Sequence, residues 1–188
     1  MGKVILLDLD GTIVDSYESV LLATEKSLTH FGIQIPQELH DVTEVGDLLS
    51  VASNHLAGHT TLEKFKLVYD SILYANPTKG VYVSASVLKL LSGFKKDGYT
   101  LVVLTNKKQE VAEIICNELF PRGVFKFVIG RSTVKPLKPS MHVFDELKKK
   151  GIMLDDIDCL IGDSETDIKT ASILRVQYID IRTLINKA

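Results

Sequence analysis

The sequence has no tryptophan and only two cysteines among its 188 residues. Cys116 and Cys159 stand far apart, so neither a disulfide framework nor a zinc knuckle is indicated, and two small buried residues are the simpler interpretation. An excess of one charge is also missing, because 22 Lys and Arg against 24 Asp and Glu give a net charge of −2. That balance disfavours a dedicated nucleic-acid binder or a polybasic membrane binder.

Long apolar stretches are missing as well. The apolar runs are short, such as Val4–Leu7, and fall far below the length of a membrane span. The sequence begins Met1-Gly2-Lys3 and enters this run directly, without the architecture of a signal peptide. We therefore expect a cytoplasmic protein of one domain, or of one core with a small insert.

Strand patterns alternate with helical patterns along most of the chain. Near-continuous apolar segments predict strands at residues 3–8, 99–105, 125–129, 157–161 and 177–181. Apolar residues recur at helical spacing at 87–94, 111–119 and 143–147, the last after Pro139 at a predicted first turn. This alternation predicts an α/β fold, in which helices cover both faces of a parallel sheet.

One stretch has no convincing strand pattern. Ser16 is placed to cap a first helix, and Thr60 and Glu63 have the spacing of a capping box before another. We expect a helical insert over residues 16–80, with residues 1–15 and 81–188 forming the core around it.

Polar side chains come directly after the first, second and fourth predicted strands. Asp8 and Asp10 alternate at the end of the first strand, so they share one side of it. The turn at Gly11 and Thr12 has backbone N–H groups that can face an anion.

The other strand ends add a hydroxyl, an amide and further acids. Thr105-Asn106 ends the second strand, and Gly162-Asp163-Ser164-Glu165-Thr166-Asp167 ends the fourth, after a basic turn over 135–139. Ligands of open parallel sheets bind at this edge. The combination suits a hard cation such as Mg²⁺ together with a phosphoryl group.

Four segments stand in the order of the four motifs of the haloacid dehalogenase (HAD) superfamily: VILLDLDGTIVDS, LVVLTN, Lys138-Pro139 and IGDSETD. The chain resembles its phosphoglycolate-phosphatase-like branch, including TNK after the second strand. The resemblance implies a Rossmann-like sheet of order 3-2-1-4-5 with a small all-helical cap inserted after the first strand. The chain departs from the family at Leu174-Arg175, where an Ala-Gly pair is common.

The resemblance also implies roles for the acids at the strand ends. Asp8 matches the nucleophile that forms an aspartyl-phosphate, and Asp10 matches the general acid that later activates water. Asp163 matches a Mg²⁺ ligand, joined by Asp8 and by the main-chain carbonyl of Asp10. Asp167 matches a supporting acid, and Ser164 is interpreted as a local helix cap.

Phosphate contacts are implied for Thr105 and Asn106, and we expect Gly11 and Thr12 to contribute to them.

In the family a lysine binds the phosphate and screens the charge on the nucleophile and the phosphate, and this lysine matches Lys138. Lys135 also precedes a proline and competes for this role. Lys138 is preferred because the number of residues between it and Gly162 fits the family.

The motifs together predict a Mg²⁺-dependent phosphatase that acts on a small phosphorylated metabolite, a phosphoric monoester hydrolase. One alternative is a phosphomutase of the β-phosphoglucomutase type, which shares the core motifs and differs in the cap. Another is a non-catalytic relic that binds ligands or partners. A dehalogenase or a phosphonatase is disfavoured, because those groups lack the acid found here as Asp10. We expect neither nucleic acid nor membrane as a partner, and the pattern indicates no particular metabolite or oligomeric state.

Overall fold

The computed structural model describes residues 3–132 and 137–185. The chain divides into two compact units, one formed by residues 1–15 together with 83–188 and the other by residues 16–82. The first unit contains the sheet and the second is built from helices.

A five-stranded sheet forms the centre of the first unit. Its strands are β1 (Val4–Leu7), β2 (Thr100–Lys108), β3 (Phe125–Arg131), β4 (Ile157–Gly162) and β5 (Gln177–Asp180). All neighbouring strands pair in parallel, in the order β3-β2-β1-β4-β5. The predicted α/β fold class and the predicted strand order are both confirmed.

Eight α-helices lie in the described residues. They are α1 (Tyr17–His30), α2 (Val45–Ser53), α3 (Leu62–Ala75), α4 (Ala85–Lys96), α5 (Gln109–Leu119), α6 (His142–Lys149), α7 (Glu165–Leu174) and α8 (Ile181–Ile185). All of them are too short or too polar to span a bilayer.

Both faces of the sheet are buried, as the unbroken apolar run of β1 predicts. Val4 and Leu6 belong to a cluster that includes Val143 and Leu147 of α6 and Leu174 of α7. The alternate residues of β1 face the opposite side of the sheet and are equally buried. Packing on both faces therefore fixes the positions of the strand ends.

The second unit packs its helices around apolar side chains. Val20 and Leu28 of α1 and Phe65 of α3 are buried, and the Phe31 ring lies 6.4 Å from that of Phe65. Ser16 precedes α1 as expected, but its side chain makes no capping hydrogen bond.

Three element boundaries differ from the sequence-based expectation. Helix α3 is capped by Thr61, whose hydroxyl accepts from the Lys64 N–H, and not by Thr60. Helix α6 begins at His142, because the preceding turn is closed by the Ser140 hydroxyl donating to the Leu137 carbonyl. Strand β2 continues three residues beyond Thr105. The polar residues that follow Thr105 therefore belong to the strand.

Substitution of Arg175 by glycine is expected to stabilise the protein. Arg175 ends α7 with φ 56°, in the left-handed region. That conformation costs a side-chain-bearing residue about 1–2 kcal/mol, whereas the extra unfolded-state freedom of glycine costs about 0.5–1 kcal/mol. Arg175→Gly should thus raise the free energy of unfolding in urea by up to about 1.5 kcal/mol. Asp97, which ends α4 with φ −77°, is the matched control, and an equal gain in Asp97→Gly would contradict this explanation.

Candidate active site

Asp8 and Asp10 leave the end of β1 side by side. The Asp8 N–H donates to the Ile161 carbonyl at 2.9 Å, which continues the pairing with β4 past the last residue of β1. Asp8 is buried, whereas the Asp10 side chain is partly exposed. One carboxylate therefore lies inside the edge of the sheet and the other at its rim.

The turn after these acids leaves room for Asp163. Gly11 has φ +77°, and a Cβ atom there would collide with the Asp163 carboxylate. The Thr12 hydroxyl donates to Asp163 Oδ1 at 2.7 Å. The N–H groups of Gly11 and Thr12 donate to the carbonyls of Val14 and Leu9 within the turn. The described hydrogen bonds of Thr12 thus support Asp163 and the turn, and phosphate binding by Gly11 and Thr12 stays a prediction.

The first turn of α7 places Asp167 in contact with Lys138. The Ser164 hydroxyl accepts from the Asp167 N–H, and Asp167 Oδ2 accepts from the Ser164 N–H and hydroxyl. This capping box agrees with the local role expected of Ser164. Gly162 is required before it, because a Cβ atom at that position would overlap the Asp167 carboxyl group.

Lys138 joins the two buried acids. Its Nζ lies 2.8 Å from Asp8 Oδ1 and 2.6 Å from Asp167 Oδ1, and the side chain is 2% exposed. The side chain of Asn106 fixes the Lys138 backbone: Oδ1 accepts from its N–H at 2.7 Å and Nδ2 donates to its carbonyl at 2.8 Å. The described role of Asn106 is therefore to position this lysine. The competing Lys135 lies outside the described residues.

Burial dominates the electrostatics of these groups. It raises the pKa of Asp8, and the neighbouring Asp167 raises it further, while Lys138 acts in the opposite direction. Burial likewise raises the pKa of Asp163. Burial alone would lower the pKa of Lys138, but Asp8 and Asp167 outweigh it and hold the pKa above its usual value. The site is a cluster of carboxylates that needs positive charge to stay ionised.

The acids are arranged so that a metal ion could supply such charge. One oxygen each of Asp8, Asp163 and Asp167 lie within 4.8 Å of one another. Both oxygens of Asp167 are already engaged, by Lys138 and by Ser164. Oδ2 of Asp8 and Oδ2 of Asp163 accept no hydrogen bond within residues 3–132 and 137–185. Two such carboxylate oxygens, one from Asp8 and one from Asp163, suit a hard divalent cation.

Sequence reasoning assigned no role to Lys107, which the structure brings into the site. Its Nζ lies 2.8 Å from Asp10 Oδ1, and its N–H donates to the Thr105 hydroxyl at 3.1 Å. Thr105 itself is buried at the same edge of the sheet. The signal was present in the sequence, because alternation along an extended β2 puts Lys107 on the same side of the strand as Thr105.

The fold and the site together define an α/β protein that gathers acids, a lysine and a threonine where the parallel strands end. A family model described as haloacid dehalogenase-like hydrolase matches residues 5–181, and the chain belongs to this family. The predicted superfamily and the predicted class, a phosphoric monoester hydrolase, are thereby confirmed.

A relative agrees with this assignment, and solved structures share the fold. The chain is 25% identical over 174 residues to a phosphoglycolate phosphatase of Aquifex aeolicus (strain VF5), covering 89% of this chain and 78% of the relative. It shares its fold with a haloacid dehalogenase-like family hydrolase from Streptococcus pneumoniae, with a TM-score of 0.74, 18% identity and coverage of 94% and 83% of the two chains. CbbY from Rhodobacter sphaeroides, solved in complex with phosphate, matches with a TM-score of 0.70 and 18% identity, over 96% of this chain and 86% of that one.

Proposed function

We propose that this protein hydrolyses a small phosphorylated metabolite in a Mg²⁺-dependent reaction that passes through an aspartyl-phosphate on Asp8. The observation that carries the proposal is the environment of Asp8. Its Oδ1 pairs with the buried Lys138, and Asp10 follows two residues later at the rim of the same edge. The end of one strand thus supplies both a nucleophile and a proton donor for the same phosphate ester.

The reaction takes place in two displacements. A carboxylate oxygen of Asp8 attacks phosphorus, the bond from phosphorus to the leaving oxygen breaks, and that oxygen takes the proton of Asp10. Asp10 then takes a proton from a water molecule, which attacks the phosphorus of the aspartyl-phosphate. The bond to Asp8 breaks, inorganic phosphate leaves and both acids return to their starting state. Splitting hydrolysis in this way lets one set of groups serve both halves.

Charge repulsion is the main obstacle to the first displacement, because an anionic nucleophile approaches an anionic phosphate. Lys138 offsets part of this repulsion from its position against Asp8. Thr105 offers a hydroxyl proton to a phosphate oxygen, since its own oxygen accepts from the Lys107 N–H. Mg²⁺, held by Asp8 and Asp163 with the main-chain carbonyl of Asp10, would supply further positive charge for the phosphate oxygens.

The proposed substrate class rests on the similarity to a known relative. The Aquifex aeolicus relative named above is a phosphoglycolate phosphatase, and we propose phosphoglycolate or a metabolite of similar size for this chain. The resemblance implies a cap over residues 16–80, and we propose that this segment selects the leaving group. The cytoplasmic location expected from the sequence stays a prediction.

Turnover of p-nitrophenyl phosphate tests this function without knowledge of the natural substrate. We expect hydrolysis with Mg²⁺, loss of activity with EDTA, and recovery when Mg²⁺ is restored in excess. Activity that survives EDTA would contradict the metal dependence. A screen of phosphorylated metabolites would then identify the substrate, and a hexose 1-phosphate converted to its 6-phosphate without release of inorganic phosphate would favour the mutase.

A further inference from the structure

The side chain of Lys107 is a buried cation that has no role in the reaction proposed above. Its side chain is 4% exposed and its Nζ lies 2.8 Å from Asp10 Oδ1. A lysine is rarely buried to this extent unless a carboxylate compensates the lost hydration. Lys138 does not replace it at Asp10, because Lys138 is paired with Asp8 and Asp167.

The backbone around Lys107 is fixed from two directions. On one side its N–H donates to the Thr105 hydroxyl. On the other side β3 approaches so closely that a Cβ atom at Gly130 would lie 2.7 Å from the Lys107 carbonyl oxygen. Gln109 locks the strands together, since its side chain accepts from the Gly130 N–H at 2.6 Å and donates to the Val128 carbonyl at 3.0 Å. The origin of the Lys107 side chain is therefore set by the sheet.

The Asp10 carboxylate, in contrast, has a single anchor. Within the described residues its only side-chain hydrogen bond is the one from Lys107. Without that bond the carboxylate would be free to rotate at the rim of the site. Proton transfer depends on the distance and direction between acid and leaving group, so rotation of Asp10 would reduce the rate of the step.

We propose that Lys107 is a positioning residue that holds the Asp10 carboxylate in line with the leaving group, an inference that rests on the proposed function. Oδ1 accepts from the lysine, which leaves Oδ2 to carry the proton. Lys107 touches neither the phosphorus nor the leaving oxygen, and its effect on the reaction passes through Asp10.

Two esters of similar size measure this effect. Phenyl phosphate releases a basic phenolate that needs a proton, whereas p-nitrophenyl phosphate releases a stabilised phenolate that needs little help. Because kcat/KM reports events up to the first displacement, Lys107→Met should lower it about 100-fold for phenyl phosphate and less than about tenfold for p-nitrophenyl phosphate. Lys107→Arg, which keeps a cation, should recover part of the loss with phenyl phosphate. The control is Lys108→Met, since Lys108 is the half-exposed neighbour, and it should leave both values unchanged.

A double-mutant cycle separates positioning from a general structural role. In an Asp10→Asn background, Lys107→Met should change kcat/KM by less than about threefold, because its route of action is already removed. Equal losses with both esters, or losses that add to those of Asp10→Asn, would overturn the positioning role while leaving the proposed function intact. A wild-type protein that hydrolyses no phosphate ester would instead overturn the proposed function, and the positioning role with it.

Discussion

Replacing Asp8 by asparagine is expected to lower kcat about a thousandfold or more. An amide is a poor nucleophile and cannot form the acyl-phosphate, so the first displacement has no acceptor. The loss should be equally large for phenyl phosphate and for p-nitrophenyl phosphate. Without the nucleophile the first displacement fails for either ester, whether or not its leaving group needs a proton. Steady-state rates measured with Mg²⁺ in excess check this expectation.

The fold should survive the same substitution. Asparagine has nearly the same shape as aspartate. Lys138 also keeps its other partner, the Asp167 carboxylate, at 2.6 Å. Urea unfolding should therefore show a cooperative transition in Asp8→Asn. Wild-type protein mixed with a radiolabelled phosphate ester and quenched in acid should retain label, and the variant should retain none. Labelled variant protein, or a variant with near-normal turnover, would refute the assignment of the nucleophile.

The sheet and the placement of its polar ends were predictable from the sequence. A buried parallel strand needs apolar residues on both faces, so segments such as 4–7 and 100–104 stand out against a mixed background. Acids placed directly after such segments must lie at the carboxyl edge, because the direction of the strands leaves them no other position. The sequence alone therefore predicts that Asp8 and Asp163 lie at one edge of the sheet.

The partners of individual side chains were not predictable in the same way. The sequence does not show that the Asn106 amide pairs with the backbone N–H and carbonyl of Lys138, and phosphate binding by Asn106 stays a prediction. The pairing of Lys107 with Asp10 depends on how far β2 extends past Thr105 and on the turn after β1. Both are consequences of close packing between segments that are distant in sequence, which residue periodicity does not encode.

The lysine that joins Asp8 and Asp167 offers the second large effect. Lys138→Met should lower kcat about 100-fold, as expected for the loss of one preorganised charge beside the reacting groups. The loss should be similar for phenyl phosphate and p-nitrophenyl phosphate, because Lys138 acts on the nucleophile. This equality distinguishes it from Lys107, whose replacement should affect phenyl phosphate selectively.

Stability provides an independent measure of the same lysine. Lys138→Met leaves two buried carboxylates without their cation, and removal of one partner of a buried ion pair costs about 3–5 kcal/mol. Adding Asp167→Asn removes one of those carboxylates, so the double variant should regain part of the unfolding free energy but none of the turnover. The matched control is Lys135→Met, which should affect neither quantity appreciably. A larger loss of kcat in Lys135→Met than in Lys138→Met would transfer the charge-screening role to Lys135.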